Sequence, residues 1–89
     1  MTDTQSRFEQ AALAAKSLPK RPDNESLLQL YALFKQASAG NVSGDKPGFF
    51  DFVAIAKYEA WEKLQGLPRE NAQEQYISLV TELGGQIEE

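Results

Sequence analysis

The chain has 89 residues, 42% of them hydrophobic, which suits one ordered domain over residues 1–89 with a single small core. It contains neither cysteine nor histidine, so disulfide bonds are excluded and no metal site is expected. A net charge of −4 disfavours binding to nucleic acid, and no apolar stretch approaches the roughly 18 residues that span a bilayer. We therefore expect a soluble, cytoplasmic monomer without stable membrane insertion.

Apolar residues recur at helical spacing along the chain, and the alternation typical of strands is missing. The first predicted helix runs from about Thr4 to Ser17, and Pro19 ends it because proline disfavours helix in the preceding residue. The residues on its apolar face are mostly small, so either a neighbouring helix packs closely against it or a groove lies over it. That face comprises Phe8, Ala11, Ala12 and Ala15.

The second predicted helix begins at a cap formed by Asp23 or Asn24 and ends at Gly40. Tyr31 and Lys35 lie at the rim of its apolar face, one turn apart and on the same side. The predicted face comprises Leu27, Leu30, Tyr31, Phe34 and Ala37.

A loop precedes the third predicted helix, and we expect cover over its two aromatic residues, Phe49 and Phe50. The helix is capped by Asp51 and ends at Gly66. Lys57 falls within its apolar face. A buried ammonium group without a partner costs several kcal/mol, so Lys57 either extends to solvent or meets an anion.

The fourth predicted helix has Pro68 in its first turn and Glu70 at its positive end. Its apolar face comprises Ala72, Tyr76, Leu79, Val80, Leu83 and Ile87. Gly84 and Gly85 weaken the last turn, so we expect the C-terminus to fray. With no repeat, low-complexity tract or long linker, the chain is predicted to be an all-α, single-domain four-helix bundle.

No residue pattern indicates catalysis. There is no nucleophile motif and no glycine-rich phosphate loop, and the carboxylates lie mostly at caps and on polar faces. We therefore expect a binding protein rather than an enzyme such as a thioesterase.

Two lysines differ from the others because they flank or interrupt apolar faces. Lys35 and Lys57, together with Tyr31 and Tyr76, are candidates to converge on one phosphate-bearing head group. An apolar groove beside them is predicted from Ala11, Ala12, Leu27 and Leu28. This combination suits an amphiphile with an anionic head and an apolar tail. The alternative is a helical protein-interaction module without a small ligand.

Four segments, in this order and spacing, closely resemble the acyl-CoA-binding protein family from Phe8 to about Leu83. They are YALFKQA at 31–37, KPGFFDF at 46–52, AKYEAW at 56–61 and YI at 76–77. The resemblance implies a four-helix bundle that binds long-chain acyl-CoA esters one to one, needs no cofactor and does not turn its ligand over. It implies an intracellular carrier and pool former that makes transient contacts with membranes or lipid enzymes.

The resemblance also implies roles for individual residues. Lys35 and Lys57, helped by Tyr31, are expected to bind the 3′-phosphate of the CoA ribose. Lys16 is expected to add a polar contact with the CoA part, and Tyr76 to line the site. The acyl chain is expected in a groove beside the first two helices, lined by Ala11, Ala12 and Leu28.

Three positions depart from the common pattern of the family. Phe34 stands where many members have a tyrosine near the adenine ring, so ring packing is expected without a hydroxyl hydrogen bond. Val53 and Ile55 stand where some members have lysines. The margin of the expected site is therefore less basic.

Overall fold

The structure, a computed structural model, describes residues 3–87, in which the helical periodicity of the sequence becomes four α-helices. They are α1 (Thr4–Ala14), α2 (Asn24–Ala39), α3 (Phe52–Glu62) and α4 (Arg69–Glu82). A 3₁₀ turn over Ala15–Ser17 continues α1 to its predicted end. The predicted all-α, four-helix class is confirmed. None of the helices described is long and apolar enough to cross a membrane.

Aspartate side chains start the first three helices. Asp3, Asp23 and Asp51 each accept a hydrogen bond from the backbone N–H three residues further on, at 2.7, 2.7 and 3.1 Å. These bonds satisfy N–H groups that the first turn of a helix leaves without partners. The hydrogen bond from Ser6 lowers the pKa of Asp3, and the one from Ser26 lowers the pKa of Asp23. The cap of α2 is thus Asp23, one of the two predicted.

The core joins three of the four helices. α4 packs against both α1 and α2, while α3 packs mainly against α2. Buried side chains of α1, α2 and α4 form one apolar cluster, to which α3 adds none of its buried residues. The cluster comprises Phe8, Ala11, Leu30, Leu33, Ala37, Ala72, Tyr76, Ile77 and Val80. α3 is therefore a peripheral helix.

The predicted apolar face of α2 is only partly correct. Leu30 and Ala37 are buried as predicted, whereas the side chain of Phe34 is 39% exposed. A second face of the helix is buried as well, and it comprises Ala32, Leu33 and Gln36. Because α2 has α4 on one side and α3 on the other, its buried arc is wider than one stripe.

The apolar face of α3 is less covered than predicted. The helix ends at Glu62, and turns lead from there to Gly66. Val53 is 66% exposed. Lys57 is exposed, which agrees with the predicted alternative that its side chain extends to solvent. The reason is that α3 packs mainly against one neighbour, and its surface beyond that contact faces solvent.

The prediction of cover over Phe49 and Phe50 is wrong. Their side chains are 70% and 83% exposed, and their ring centroids lie 4.2 Å apart. The backbone turns here through a hydrogen bond of 3.0 Å from the N–H of Asp51 to the carbonyl of Gly48. Both rings therefore contact each other instead of the core.

The end of α4 is capped, whereas the last two residues, 88 and 89, to which the predicted fraying extends, lie outside the described part of the chain. The N–H of Gly85 donates to the carbonyl of Val80 at 2.9 Å, and the N–H of Gly84 donates to that of Thr81 at 3.0 Å. Gly84 has φ +99°, and the two bonds form a Schellman motif. A Cβ at Gly84 would lie 2.8 Å from Cγ of Pro19, so the turn also packs against the connection between α1 and α2.

Candidate functional site

The ammonium group of Lys57 lies over an aromatic ring of the neighbouring helix. Its Nζ is 5.3 Å from the ring centroid of Tyr31, which is half-buried on α2. This is a cation–π contact, in which the ring face attracts the charge without neutralising it. The N–H donors of Lys57 therefore stay available to an anion.

Lys35 makes the reciprocal contact from α2 to α3. Its Nζ lies 4.8 Å from the ring centroid of Trp61, the one tryptophan of the chain. Trp61 is buried, and its Nε1–H donates to the carbonyl of Gly40 at 2.8 Å, which fixes the ring. Because Lys35 follows Tyr31 by one turn, the two lysines lie on the same side of the α2–α3 contact.

The two lysines over the rings lack a salt bridge in the part of the chain that the structure describes. Within residues 3–87, neither Lys35 nor Lys57 pairs with a carboxylate. Lys46 differs, because it contacts Glu59 at 2.9 Å, which raises the pKa of Lys46 and lowers that of Glu59. The contact between α2 and α3 thus carries two cations that only ring faces stabilise.

An apolar cleft lies beside Lys57, between the start of α2 and the start of α3. It has a volume of about 520 Å³. Leu28, a residue of the predicted acyl groove, is one of its lining residues, and Arg21 and Lys57 are its cations. The full lining is Arg21, Asn24, Leu27, Leu28, Phe52, Val53, Ala56 and Lys57. We call this the α2–α3 cleft.

A second cavity, of about 650 Å³, lies between α1, α2 and α4. Three rings meet there, with centroids 5.5 Å apart for Phe8 and Phe34, 5.2 Å for Phe8 and Tyr76, and 5.9 Å for Phe34 and Tyr76. Burial raises the pKa of Tyr76, so its hydroxyl stays protonated at neutral pH and can donate a hydrogen bond. Lys16 and Ala12 also line this aromatic cavity.

The predicted site residues divide between the two cavities. α2 connects them, because Leu28, Tyr31 and Phe34 follow one another at three-residue spacing along its surface. Leu28 lines the α2–α3 cleft, Phe34 lines the aromatic cavity, and Tyr31 lies between them. Lys35 lies over Trp61 at the α2–α3 contact and is not among the residues that line either cavity. Ala11 is 0% exposed in the core, so its predicted place in the groove is corrected.

Sequence reasoning missed three residues of this surface. Arg21 lies outside any helix, where periodicity does not indicate which way a side chain faces. Phe52 is the first residue of α3 and lines the cleft although it was not assigned to the site. Trp61 was not assigned to the site although Lys35 lies over its ring, and its four-residue spacing from Lys57 was the available signal.

Elsewhere the surface is less suited to an anion. A cavity of about 510 Å³ between α2 and α4 is lined by amides, Ser78, two leucines and the carboxylates of Glu74 and Glu82. Within residues 3–87, no group of three or more acidic residues is placed to hold a metal ion. The two lysines on ring faces and the adjoining cavities are therefore the candidate site.

The family model described as "Acyl CoA binding protein" matches residues 5–80. The chain belongs to the acyl-CoA-binding protein family. It is 47% identical to acyl-CoA-binding protein homolog 1 of Caenorhabditis elegans over 76 residues, covering 85% of this chain and 88% of that protein. The crystal structure of acyl-CoA-binding protein 2 from Oryza sativa superposes with a TM-score of 0.87 at 40% identity, covering 91% of this chain and 90% of the other.

An enzyme also contains a similar segment. The chain is 48% identical to enoyl-CoA delta isomerase 2 of Rattus norvegicus over 88 residues, which is 99% of this chain but only 22% of that enzyme. Most of the isomerase thus has no counterpart here, and the family match confirms the predicted non-catalytic binding protein. The assignment of all of residues 1–89 to one domain stays a prediction.

Proposed function

We propose that the chain binds long-chain acyl-CoA esters without converting them, as an intracellular acyl-CoA carrier and pool former. The observation that carries the proposal is the pair of unneutralised ammonium groups, Lys35 over Trp61 and Lys57 over Tyr31, beside an apolar cleft. A ligand with an anionic head and a long apolar tail satisfies both features at once. An inorganic anion would contact the lysines but would not fill the apolar cleft.

The CoA head is assigned to the α2–α3 contact. We assign Lys35, Lys57 and the hydroxyl of Tyr31 to the 3′-phosphate, which is close to doubly charged at neutral pH and forms strong, charge-assisted hydrogen bonds. The ring of Phe34, 39% exposed, is free to pack against the adenine ring. Lys16 supplies a further contact with CoA from the far side of the aromatic cavity.

The acyl chain is assigned to the apolar surface between the two cavities. Ala12 and Leu28 line this surface from α1 and α2, and Tyr76 forms its floor. Each methylene that leaves water contributes about 0.8 kcal/mol, so affinity rises with chain length until the groove is full. Free fatty acids lack the phosphates of CoA and bind more weakly.

The carrier is proposed to act as a monomer in the cytoplasm. The absence of cysteine suits a reducing compartment, because the fold needs no disulfide bond. Each predicted contact with the ligand comes from the same chain, so a second copy is not needed to complete the site.

Thermal unfolding in the presence of octanoyl-, dodecanoyl- and palmitoyl-CoA tests the proposal. The melting temperature is expected to rise with each ester, most with palmitoyl-CoA, because a ligand that binds only the folded state stabilises it. Free CoA serves as the control for the head group alone. If none of the esters shifts the transition, the protein-interaction module is the better interpretation, and release of free thiol during incubation would indicate a thioesterase.

A further inference from the structure

A continuous apolar surface lies outside the residues assigned to CoA. Phe49, Phe50, Phe52 and Val53 are 70%, 83%, 76% and 66% exposed. The other large apolar side chains exposed within residues 3–87 are Leu13 and Phe34 alone. Three phenylalanines and a valine at this exposure present apolar area on the order of 500 Å², a size that marks interaction sites on soluble domains. We call these four side chains the phenylalanine patch.

The exposure of the patch is built into the fold. The loop before the patch is held to α3 by the ion pair of Lys46 with Glu59, at 2.9 Å, and by the Tyr58 hydroxyl, which donates to the carbonyl of Gly44 at 3.2 Å. On the C-terminal side of the two rings, the Asp51 carboxylate caps α3. The rings are therefore held away from the core by contacts on both sides and do not fold back onto it.

Two cations border the patch, although the chain as a whole carries a net charge of −4. Phe52 and Val53 line the α2–α3 cleft together with Arg21 and Lys57, so two cations border the apolar surface. Asp51 is the acidic group within the segment, and its carboxylate is engaged by a backbone N–H of α3. Apolar rings bordered by cations complement a partner whose interior is apolar and whose outer layer carries negative charge.

We propose that the phenylalanine patch docks on the surface of a membrane that contains anionic phospholipid. A protein partner is disfavoured, because stable interfaces bury about 800 Å² on each side and need a complementary shape. Rings that enter the interfacial region of a bilayer need no such complement, and the bordering cations attract anionic head groups.

Docking gives the patch a role in ligand exchange, which rests on the function proposed above. The patch continues into the α2–α3 cleft through Phe52 and Val53. With the two phenylalanines of the loop in the bilayer, the mouth of the cleft lies at the lipid surface. The acyl chain then passes between bilayer and cleft with less exposure to water, which would otherwise oppose its transfer.

Cosedimentation of the ligand-free protein with vesicles tests the docking surface. The vesicles contain phosphatidylcholine, with or without about 30 mol% phosphatidylserine, a content that attracts basic surfaces. The variant is Phe49→Ser with Phe50→Ser. Leu13→Ser is the control for vesicle binding alone, because Leu13 is 67% exposed on α1, away from the patch, but also lines the aromatic cavity. Palmitoyl-CoA affinity, measured by calorimetry in solution, shows separately whether each variant keeps its ligand site.

Wild-type protein is expected to bind the anionic vesicles more tightly than the neutral ones. The double variant is expected to lose about tenfold or more in partition coefficient, because membrane binding scales with apolar area inserted. Leu13→Ser is expected to bind vesicles like the wild type. The proposal is overturned if the wild type stays in solution, if the double variant binds equally well, or if the patch instead mediates self-association. If the wild-type protein does not bind palmitoyl-CoA, the carrier function is refuted. The difference in vesicle binding between wild type and double variant would still support the docking surface.

Discussion

The two sides of α2 bury their apolar residues to very different degrees. Toward α4, Ala72 and Val80 are 0% exposed and Ile77 is 4% exposed. On the other side, Trp61 near the end of α3 is buried, but Phe52 and Val53 at its start are 76% and 66% exposed. Apolar surface that is buried stabilises the fold, whereas apolar surface that stays open is available to a ligand. The side toward α4 thus holds the fold together, and the side toward α3 is the proposed binding side.

Polar groups follow the same division. Toward α4, the amide of the buried Gln73 donates to the Gln5 side chain at 2.8 Å and to the carbonyl of Ala37 at 3.4 Å. Between α2 and α3, the ammonium groups of Lys35 and Lys57 lie over rings without a carboxylate. Hydrogen bonds satisfy the first group within the protein, whereas the second pair keeps donors that an external anion can use.

The largest effect is expected from a cavity on the closed side, that is, the side of α2 that packs against α4. The open side is the side toward α3. Ile77→Ala should lower the free energy of unfolding by about 2–5 kcal/mol, because the neighbours of Ile77 fill the space only in part. Val53→Ala, on the open side, should change it by less than about 0.5 kcal/mol. Urea unfolding of both variants measures the difference. Equal losses would mean that α3 contributes to the core as much as α4 does.

Much of the fold was predictable from the sequence, because its signals are local. The caps Asp23 and Asp51 and the stop at Gly40 depend on a few neighbouring residues, and each lies where the pattern predicted. The burial of Gln36 and the exposure of Phe34 were not predictable in this way. They depend on which helices flank α2, and helical periodicity does not contain that information.

The candidate site was predictable only in part and for a different reason. Periodicity singled out Lys57 and left two alternatives, extension to solvent or contact with an anion. The side chain is exposed because α3 has one main neighbour, and helical periodicity does not contain that information. The residue pattern already grouped Lys35 and Tyr31 with Lys57 around a phosphate, and the family resemblance identified it as the 3′-phosphate of CoA. The roles of these residues stay predictions. Arg21 was missed because its side chain is positioned by a connection whose conformation no repeating pattern describes.

The next effect in size concerns the open side. Lys57→Ala should weaken palmitoyl-CoA binding by about 1.5–3 kcal/mol, the range for hydrogen bonds to charged groups, or roughly ten- to hundredfold. The melting temperature of the free protein should stay nearly unchanged, because Lys57 is exposed. Titration calorimetry measures the affinity. Lys63→Ala is the matched control, since it removes the same charge from the exposed C-terminal end of α3.

A ligand without the 3′-phosphate sharpens this result. Palmitoyl-dephospho-CoA should bind wild-type protein more weakly, and Lys57→Ala should then cause little further loss, because the lysine and the phosphate form one interaction. If the losses of binding free energy from the Lys57→Ala substitution and from removal of the phosphate add in full, Lys57 acts on another part of the ligand. The assignment of Lys57 to the 3′-phosphate is then refuted.

The smallest effect concerns the acid sensitivity of the cap that begins α2. The backbone hydrogen bond from Ser26 lowers the pKa of Asp23 in the folded protein. Its contribution to stability is thus full above the unfolded pKa of about 3.9 and is lost as pH falls through the lower folded value. Asp23→Asn keeps a capping side chain but removes its titration, so its free energy of unfolding should fall less steeply below about pH 4. Asp45→Asn, which changes the net charge equally without altering a cap, is the control in urea unfolding across this range. If both variants follow the wild-type slope, other carboxylates govern the acid response, and the start of α2 is not an acid-sensitive point of the fold.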